Sequence, residues 1–189
     1  MLYWALSGIG PWIRGYGSEP EFQCGEEAGM AIARFSRVSE EQLRADLTGW
    51  EDPMAREEIP LPRRATAGSA GYDFVTPVRL ELAPGQSAVI PTGMRAEMEA
   101  GWVLMLFPRS GLGFRHGIRL RNTVGIIDSD YARAENEGHI LVKLENPSDH
   151  AVVIERGERF CQGVFLPCGL AEEEEVLPDR RGGMGSTGK

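Results

Sequence analysis

The chain has 189 residues, 42% hydrophobic and 25% charged, enough for one buried core with appendages and unlike a disordered chain. Its net charge of −8 at pH 7 argues against a broad basic surface for nucleic acid or anionic membranes, and no apolar run approaches the ~20 residues that cross a bilayer. Cys24, Cys161 and Cys168 form no close pairing motif, and His116, His139 and His150 lack metal-ligand spacing, so a reducing, cytoplasmic setting without structural zinc is expected.

Residues 1–29 are rich in glycine and aromatics without periodicity and receive no structural assignment. The apolar opening from Met1 to Leu6 lacks a basic start and is broken by Gly8, Gly10 and Pro11, unlike a secretory signal. Ser39 followed by Glu40, Glu41 and Gln42, then Leu43 and Leu47, reads as a capping box opening one short amphipathic helix. The stretch from Glu51 to Pro62 carries three prolines and reads as a linker or an edge strand, so residues 30–58 are expected to be a short helix and linker.

From Ala70 to Cys168 short runs of alternating or apolar character are separated by turn residues. The expected strands are Val78 to Leu82, Ser87 to Ile90, Met94 to Glu99, Trp102 to Phe107, His139 to Glu145, Ala151 to Glu155 and Arg159 to Leu166. Many short strands with almost no helix imply an all-β domain over 59–170, an antiparallel sandwich, jelly roll or barrel. Glu172 to Glu175 repel one another, and the tail from Arg180 to Lys189 is too rich in glycine to hold a shape alone, so 171–189 is expected to be a flexible arm.

Three segments carry candidate chemistry. Pro108-Arg109-Ser110-Gly111-Leu112-Gly113 offers a guanidinium, a hydroxyl and glycine-freed amides, the components of an anion cradle, although a plain glycine turn reads equally well. Gly125-Ile126-Ile127-Asp128-Ser129-Asp130-Tyr131 places two carboxylates and a phenol after an apolar pair, where an acid can activate water or simply form a turn. The tail adds Arg180 and Arg181 before glycines, but lacks the G-x-x-x-x-G-K-[ST] spacing of a P-loop.

Taken in order, the pieces resemble the five motifs of the trimeric dUTPase family. Ala70-Gly71-Tyr72-Asp73-Phe74 looks like the first and the Arg109 segment like the second. Asn122 through Tyr131 looks like the third, Gly157-Glu158-Arg159-Phe160-Cys161-Gln162-Gly163 like the fourth, and Gly182 to Gly188 like the fifth. The resemblance covers roughly 60–189 and implies a jelly-roll-like distorted barrel, hydrolysis of dUTP to dUMP and pyrophosphate, Mg²⁺, and a homotrimer with sites at subunit interfaces. It makes Asp128 the base that activates water and Tyr131 the platform under the deoxyribose. Asn122 and the neighbouring backbone, including Gly125, then line the uracil pocket. Arg109, Ser110, Gly111 and Gln162 contact phosphates, and Asp73 is an acid near the metal, reached through water. In the arm, Arg180 or Arg181, Met184, Gly185 and Ser186 close over the site of another subunit.

Departures from the family pattern are Met184 where an aromatic usually stacks on the base, Asp179 where the arm arginine usually lies, and Arg133 where many relatives have glycine. The segment Ala134 to His139 resembles a bacterial branch with an extended loop. Relatives of that branch begin near a stretch like Met30 to Phe35, so residues 1–29 are expected to be dispensable. Within the same fold the rival is dCTP deaminase, which has a catalytic glutamate where this chain has Lys143 and an arginine where it has Phe114. A noncatalytic nucleotide-binding module is the alternative of another class. Each candidate also has a plain structural reading: Tyr131 as core filling, Asn122 and Asp73 as turn residues, Gln162 as a strand surface residue.

Overall fold

Short alternating segments can bury a face only by pairing with distant ones, and the pairing found here is antiparallel throughout. The structure, a computed structural model, describes residues 31–169 and 171. Its strands are β1 (Ala33–Arg37), β2 (Arg63–Arg64), β3 (Tyr72–Val75), β4 (Leu80–Leu82), β5 (Ser87–Pro91) and β6 (Met94–Met98). They continue with β7 (Trp102–Pro108), β8 (Arg119–Leu120), β9 (Gly125–Ile127), β10 (Leu141–Glu145), β11 (Val152–Ile154) and β12 (Arg159–Pro167). Two short helices, α1 (Glu40–Asp46) and α2 (Ser110–His116), interrupt them.

The strands form a five-stranded sheet in the order β2-β3-β12-β7-β9, a three-stranded sheet β5-β10-β8, and the pairs β1-β6 and β11-β4. No sheet closes on itself among the described residues, as a jelly-roll-like distorted barrel requires. Phe74, Leu104, Leu106, Ile90, Leu144, Ile154 and Phe160 fill the space between the sheets and are at most 2% exposed. Phe35 from β1 packs on Tyr72, Phe74 and Phe165 with ring centroids 5.4 to 5.5 Å apart, in tilted and edge-on geometries that favour aromatic pairs.

Three features differ from the sequence reading. Residues 33–37 form a strand rather than lead-in to a helix. The segment after Arg109 is a helical turn rather than a glycine turn, closed at its end by Gly117 in the left-handed region (φ 68°). The capping box of α1 is only half local. The Ser39 hydroxyl accepts the Gln42 N–H at 3.1 Å, but the reciprocal acceptor for the Ser39 N–H is Glu137, at 2.8 Å and 98 positions away, while Gln42 donates to Asp46. Of the two readings left open for 51–62, the linker is what is found, with one 3₁₀ turn at Arg56–Glu58 and no strand.

Candidate active site

Arg109 follows β7 as the N-cap of α2, in extended geometry (φ −67°, ψ 138°), and its carbonyl accepts the Leu112 and Gly113 N–H groups at 3.0 and 3.1 Å, which starts the helix. Its guanidinium lies 3.7 Å from Asp73, whose second oxygen accepts from Arg159 at 3.2 Å. Asp73, only 11% exposed at its side chain, therefore orients a pair of arginines. Asp73, Phe107, Arg109, Ser110 and Gln162 line a cavity of about 410 Å³. Gly71 borders it because a Cβ there would stand 2.5 Å from the Gln162 amide oxygen, so glycine leaves this amide its place. Gly111 lines a neighbouring depression with Arg109, Arg115 and Arg159.

A second cavity, about 400 Å³, is lined by Leu106, Asn122, Gly125, Ile127, Tyr131 and Lys143, among others. Asn122 stands exposed in a tight turn in which the Val124 N–H reaches the Asn122 carbonyl at 2.8 Å and Thr123 adopts φ 70°. Gly125 pairs with Leu106 across β9 and β7; a Cβ there would lie 3.0 to 3.4 Å from the leucine side chain, so glycine lets the strands close and keeps the cavity floor flat. Tyr131 is 6% exposed and belongs to the core while lining this cavity, so core filling and platform are the same position. Its hydroxyl donates to the His139 carbonyl at 3.1 Å and accepts from the Asn136 amide at 3.0 Å. Asp128 follows the last residue of β9 and is half-buried; its carbonyl accepts the Tyr131 N–H at 3.1 Å, closing a turn that leads into the 3₁₀ turn Tyr131–Arg133.

Strand register places the two cavities on opposite faces of one sheet. Asp73, Gln162 and Phe107 form one cross-strand row, and the adjacent row is Tyr72, Gly163, Leu106 and Gly125. Adjacent rows point to opposite faces. The anion-seeking residues thus lie on one side of β7 and the Asn122–Tyr131 segment on the other.

Among the described residues no group of three or more His, Cys, Asp or Glu is placed to hold a metal. Arg180, Arg181, Met184, Gly185 and Ser186 lie outside the described residues. The sequence reading missed the cluster that secures the loop bearing Tyr131. His139 is fully buried; the Gly93 N–H donates to its Nε2 at 2.8 Å, so its proton sits on Nδ1, 2.5 Å from Asp46. Burial pushes this imidazole below its ordinary pKa, against the pull of Asp46 and Glu137. Only the spacing of an acid at a helix end from a histidine 93 positions away could have signalled it, and one sequence does not reveal such a pair.

Residues 57–188 match the dUTPase family profile. The chain is 45% identical over 133 residues to a deoxyuridine 5'-triphosphate nucleotidohydrolase of Lactococcus lactis, covering 69% of this chain and 89% of that one. It is 41% identical over 146 residues to one of Photorhabdus laumondii, covering 73% and 93%. Among solved structures, the dUTPase of Streptococcus mutans superposes with a TM-score of 0.58 at 39% identity, over 73% of this chain and 98% of that one. A mutant of the dUTPase from phage phi11 of S. aureus, with a structural Mg(II) ion, superposes with a TM-score of 0.57 at 18% identity over 78% and 98% and shares the fold. With its motif residues gathered on two faces of the five-stranded sheet and this match over most of its length, the chain belongs to the dUTPase family.

Proposed function

We propose that this protein hydrolyses dUTP to dUMP and pyrophosphate, lowering the dUTP pool and supplying dUMP. The observation that carries the reading is the coexistence, within a chain of the dUTPase family, of an arginine-lined anion pocket and a glycine-floored cavity closed by Tyr131. Asn122 and the backbone around Gly125 receive the uracil edge, and Tyr131 lies under the sugar, where a 2′-hydroxyl does not fit. Asp128 takes a proton from the water that attacks the α-phosphorus, and the bond from that phosphorus to the bridging oxygen breaks, releasing pyrophosphate. Arg109, Ser110, Gly111 and Gln162 hold the phosphate chain, Arg109 being aimed by Asp73. The arm residues Arg180, Arg181, Met184, Gly185 and Ser186 cover the bound nucleotide.

The absence of a carboxylate cluster among the described residues suits a cation that arrives with its substrate. Mg²⁺ would be held mainly by the triphosphate and its waters, with Asp73 the residue near enough to help hold it through water, and it would supply neutralisation of the phosphate charge. The opposite placement of the two cavities supports an assembly with shared sites, read here as a homotrimer from the family resemblance, because one nucleotide reaches both sets of residues only if a second copy supplies one of them. Lys143 on β10 lines the base-side cavity where deamination needs a carboxylic acid, which favours hydrolysis. The same reading assigns the protein to the cytoplasm without nucleic-acid or membrane partners, supported by a net charge of −8 that disfavours binding to polyanions.

The test is pyrophosphate release from dUTP, dTTP, dCTP and UTP in parallel, with and without a chelator, for the wild type and Asp128→Asn. Turnover of dUTP alone, dependent on Mg²⁺ and reduced by at least ~10²-fold in the variant, is expected. Ammonia release from dCTP, or dUTP binding without turnover, overturns the reading.

A further inference from the structure

The loop from Tyr131 to His139 is strained and depends on contacts from outside itself. Glu137 (φ 58°) and Gly138 (φ 71°) occupy the left-handed region in succession, and Gly138 lies so close to the Tyr131–Ala132 backbone that a Cβ would stand 2.5 Å from the Ala132 Cα. The loop closes on itself through Glu137 N–H to the Ala134 carbonyl (2.8 Å) and His139 N–H to the Asn136 carbonyl (3.0 Å). Both partners of the tyrosine hydroxyl, the His139 carbonyl to which it donates and the Asn136 amide from which it accepts, belong to the closing residues. Displacement of residues 136–139 therefore displaces the phenol.

These closing residues are gripped by a distant element, α1, at both of its ends. At its start the Ser39 N–H donates to Glu137 at 2.8 Å. Hydrogen bonding from the Ser39 side chain, and then from its N–H, holds the Glu137 carboxyl below its ordinary pKa. At its end Asp46, steadied by the Gln42 amide at 2.6 Å, accepts the proton of the buried His139 ring at 2.5 Å, and the ring's far nitrogen is fixed by the Gly93 N–H. Two attachment points one helix apart resist rotation of the loop as well as translation, which one contact does not.

We propose that α1 acts as a two-point brace, through Asp46 on His139 and Ser39 on Glu137, that positions Tyr131 and so sets how strongly the enzyme prefers deoxyribose over ribose. The role rests on the reading of Tyr131 as the sugar platform. Asp46, His139 and Glu137 are positioning residues: they act on the sugar through the loop and touch no substrate. The discrimination needs a close fit, since a hydroxyl is excluded only by a wall that does not yield, and a shift of about 1 Å in a positioned group costs up to about a hundredfold in selectivity or rate.

The experiment compares wild type, Asp46→Ala, Asp46→Asn and Glu137→Ala by kcat/KM for dUTP and for UTP, and by hydrogen–deuterium exchange. Asp46→Ala is expected to narrow the dUTP preference by about tenfold or more, chiefly through a raised KM for dUTP with kcat less affected. Asp46→Asn retains an oxygen acceptor for the ring N–H and is expected to stay within about twofold of wild type. Glu137→Ala removes the other foothold and narrows the preference in the same direction. Equal losses on both nucleotides, with the dUTP to UTP ratio unchanged in both alanine variants, overturn the brace even if thermal stability falls. Exchange requires no substrate: peptides covering 131–139 are expected to exchange faster in Asp46→Ala while β7 and β12 stay protected. Wild-type exchange there overturns the brace whatever the enzyme turns over, whereas an inactive wild type sinks the functional reading instead.

Discussion

Gly138 shows how tightly the sequence is constrained at a single position. Its φ of 71° already disfavours any side chain, and a Cβ would also stand 2.7 Å from the Tyr131 carbonyl oxygen, a backbone atom that cannot rotate away. Gly157 has a similar φ of 82° but open space where its Cβ would go. Gly157→Ala is therefore expected to cost about 1 kcal/mol, the conformational penalty alone, and Gly138→Ala about 2–4 kcal/mol, with clash and loop displacement added. Urea unfolding of the two variants separates the terms; equal losses show that the loop gives way without cost. Residue chemistry of this kind was partly legible in the sequence. Arg109, Asp128 and Tyr131 stand out because their segments, in this order, resemble the motifs of the family. The Asp46–His139 pair did not stand out, since nothing local in either segment marks a buried ion-assisted hydrogen bond between positions 93 apart. Cys161, buried in β12 with its thiol pushed well up by burial, is core rather than chemistry.

Strands with clean alternation, such as β4 and β10, were legible to within about two residues, because one face is buried and the other wet. β1 was not, for a physical reason: Ala33–Arg37 carries two arginines and a serine, and its aromatic anchor is a single side chain, Phe35, with pairing to β6 and arginine contacts to Ile59 and Glu97 adding to it. The helix after Arg109 was also hidden, since Gly111 and Gly113 each weaken a helix by about 1 kcal/mol; burial of Leu112 and the Gly117 cap offset this. The position of β1 gives the dispensability of residues 1–29 a sharper form. A chain starting at Met30 keeps all of β1 and is expected to fold and to turn over dUTP at close to the full-length rate. A chain starting at Ser39 loses the Phe35 contacts and leaves the edge of β6 unpaired, a loss of about 3 kcal/mol or more. Thermal unfolding and dUTP turnover of the two truncations check both statements, and an inactive or unfolded chain from Met30 refutes the first.

For the whole molecule, the decisive geometry is the alternation of rows on the five-stranded sheet. Arg109 reaches Asp73 on the face that carries Gln162, whereas Gly125, the entry to the Asn122–Tyr131 segment, sits on the row facing the other way. The sheet itself separates the two faces within one chain, with Leu104 and Leu106 packed on the side that carries Gly125. If each active site joins the Arg109 face of one copy to the Asp128 segment of another, variants defective in opposite halves must rescue each other. Asp128→Asn and Arg109→Ala proteins are each expected to be nearly inactive alone. After mixed unfolding and refolding at equal concentration, a site is intact when an Asp128-bearing chain meets an Arg109-bearing neighbour, which random assembly gives about a quarter of the time. Recovery of about a quarter of wild-type dUTP turnover, absent when the two proteins are mixed without exchange of subunits, establishes shared sites. No recovery, with exchange confirmed by differently tagged copies in one assembly, places both residues in the same chain's site and removes the case for an interface between copies at this position.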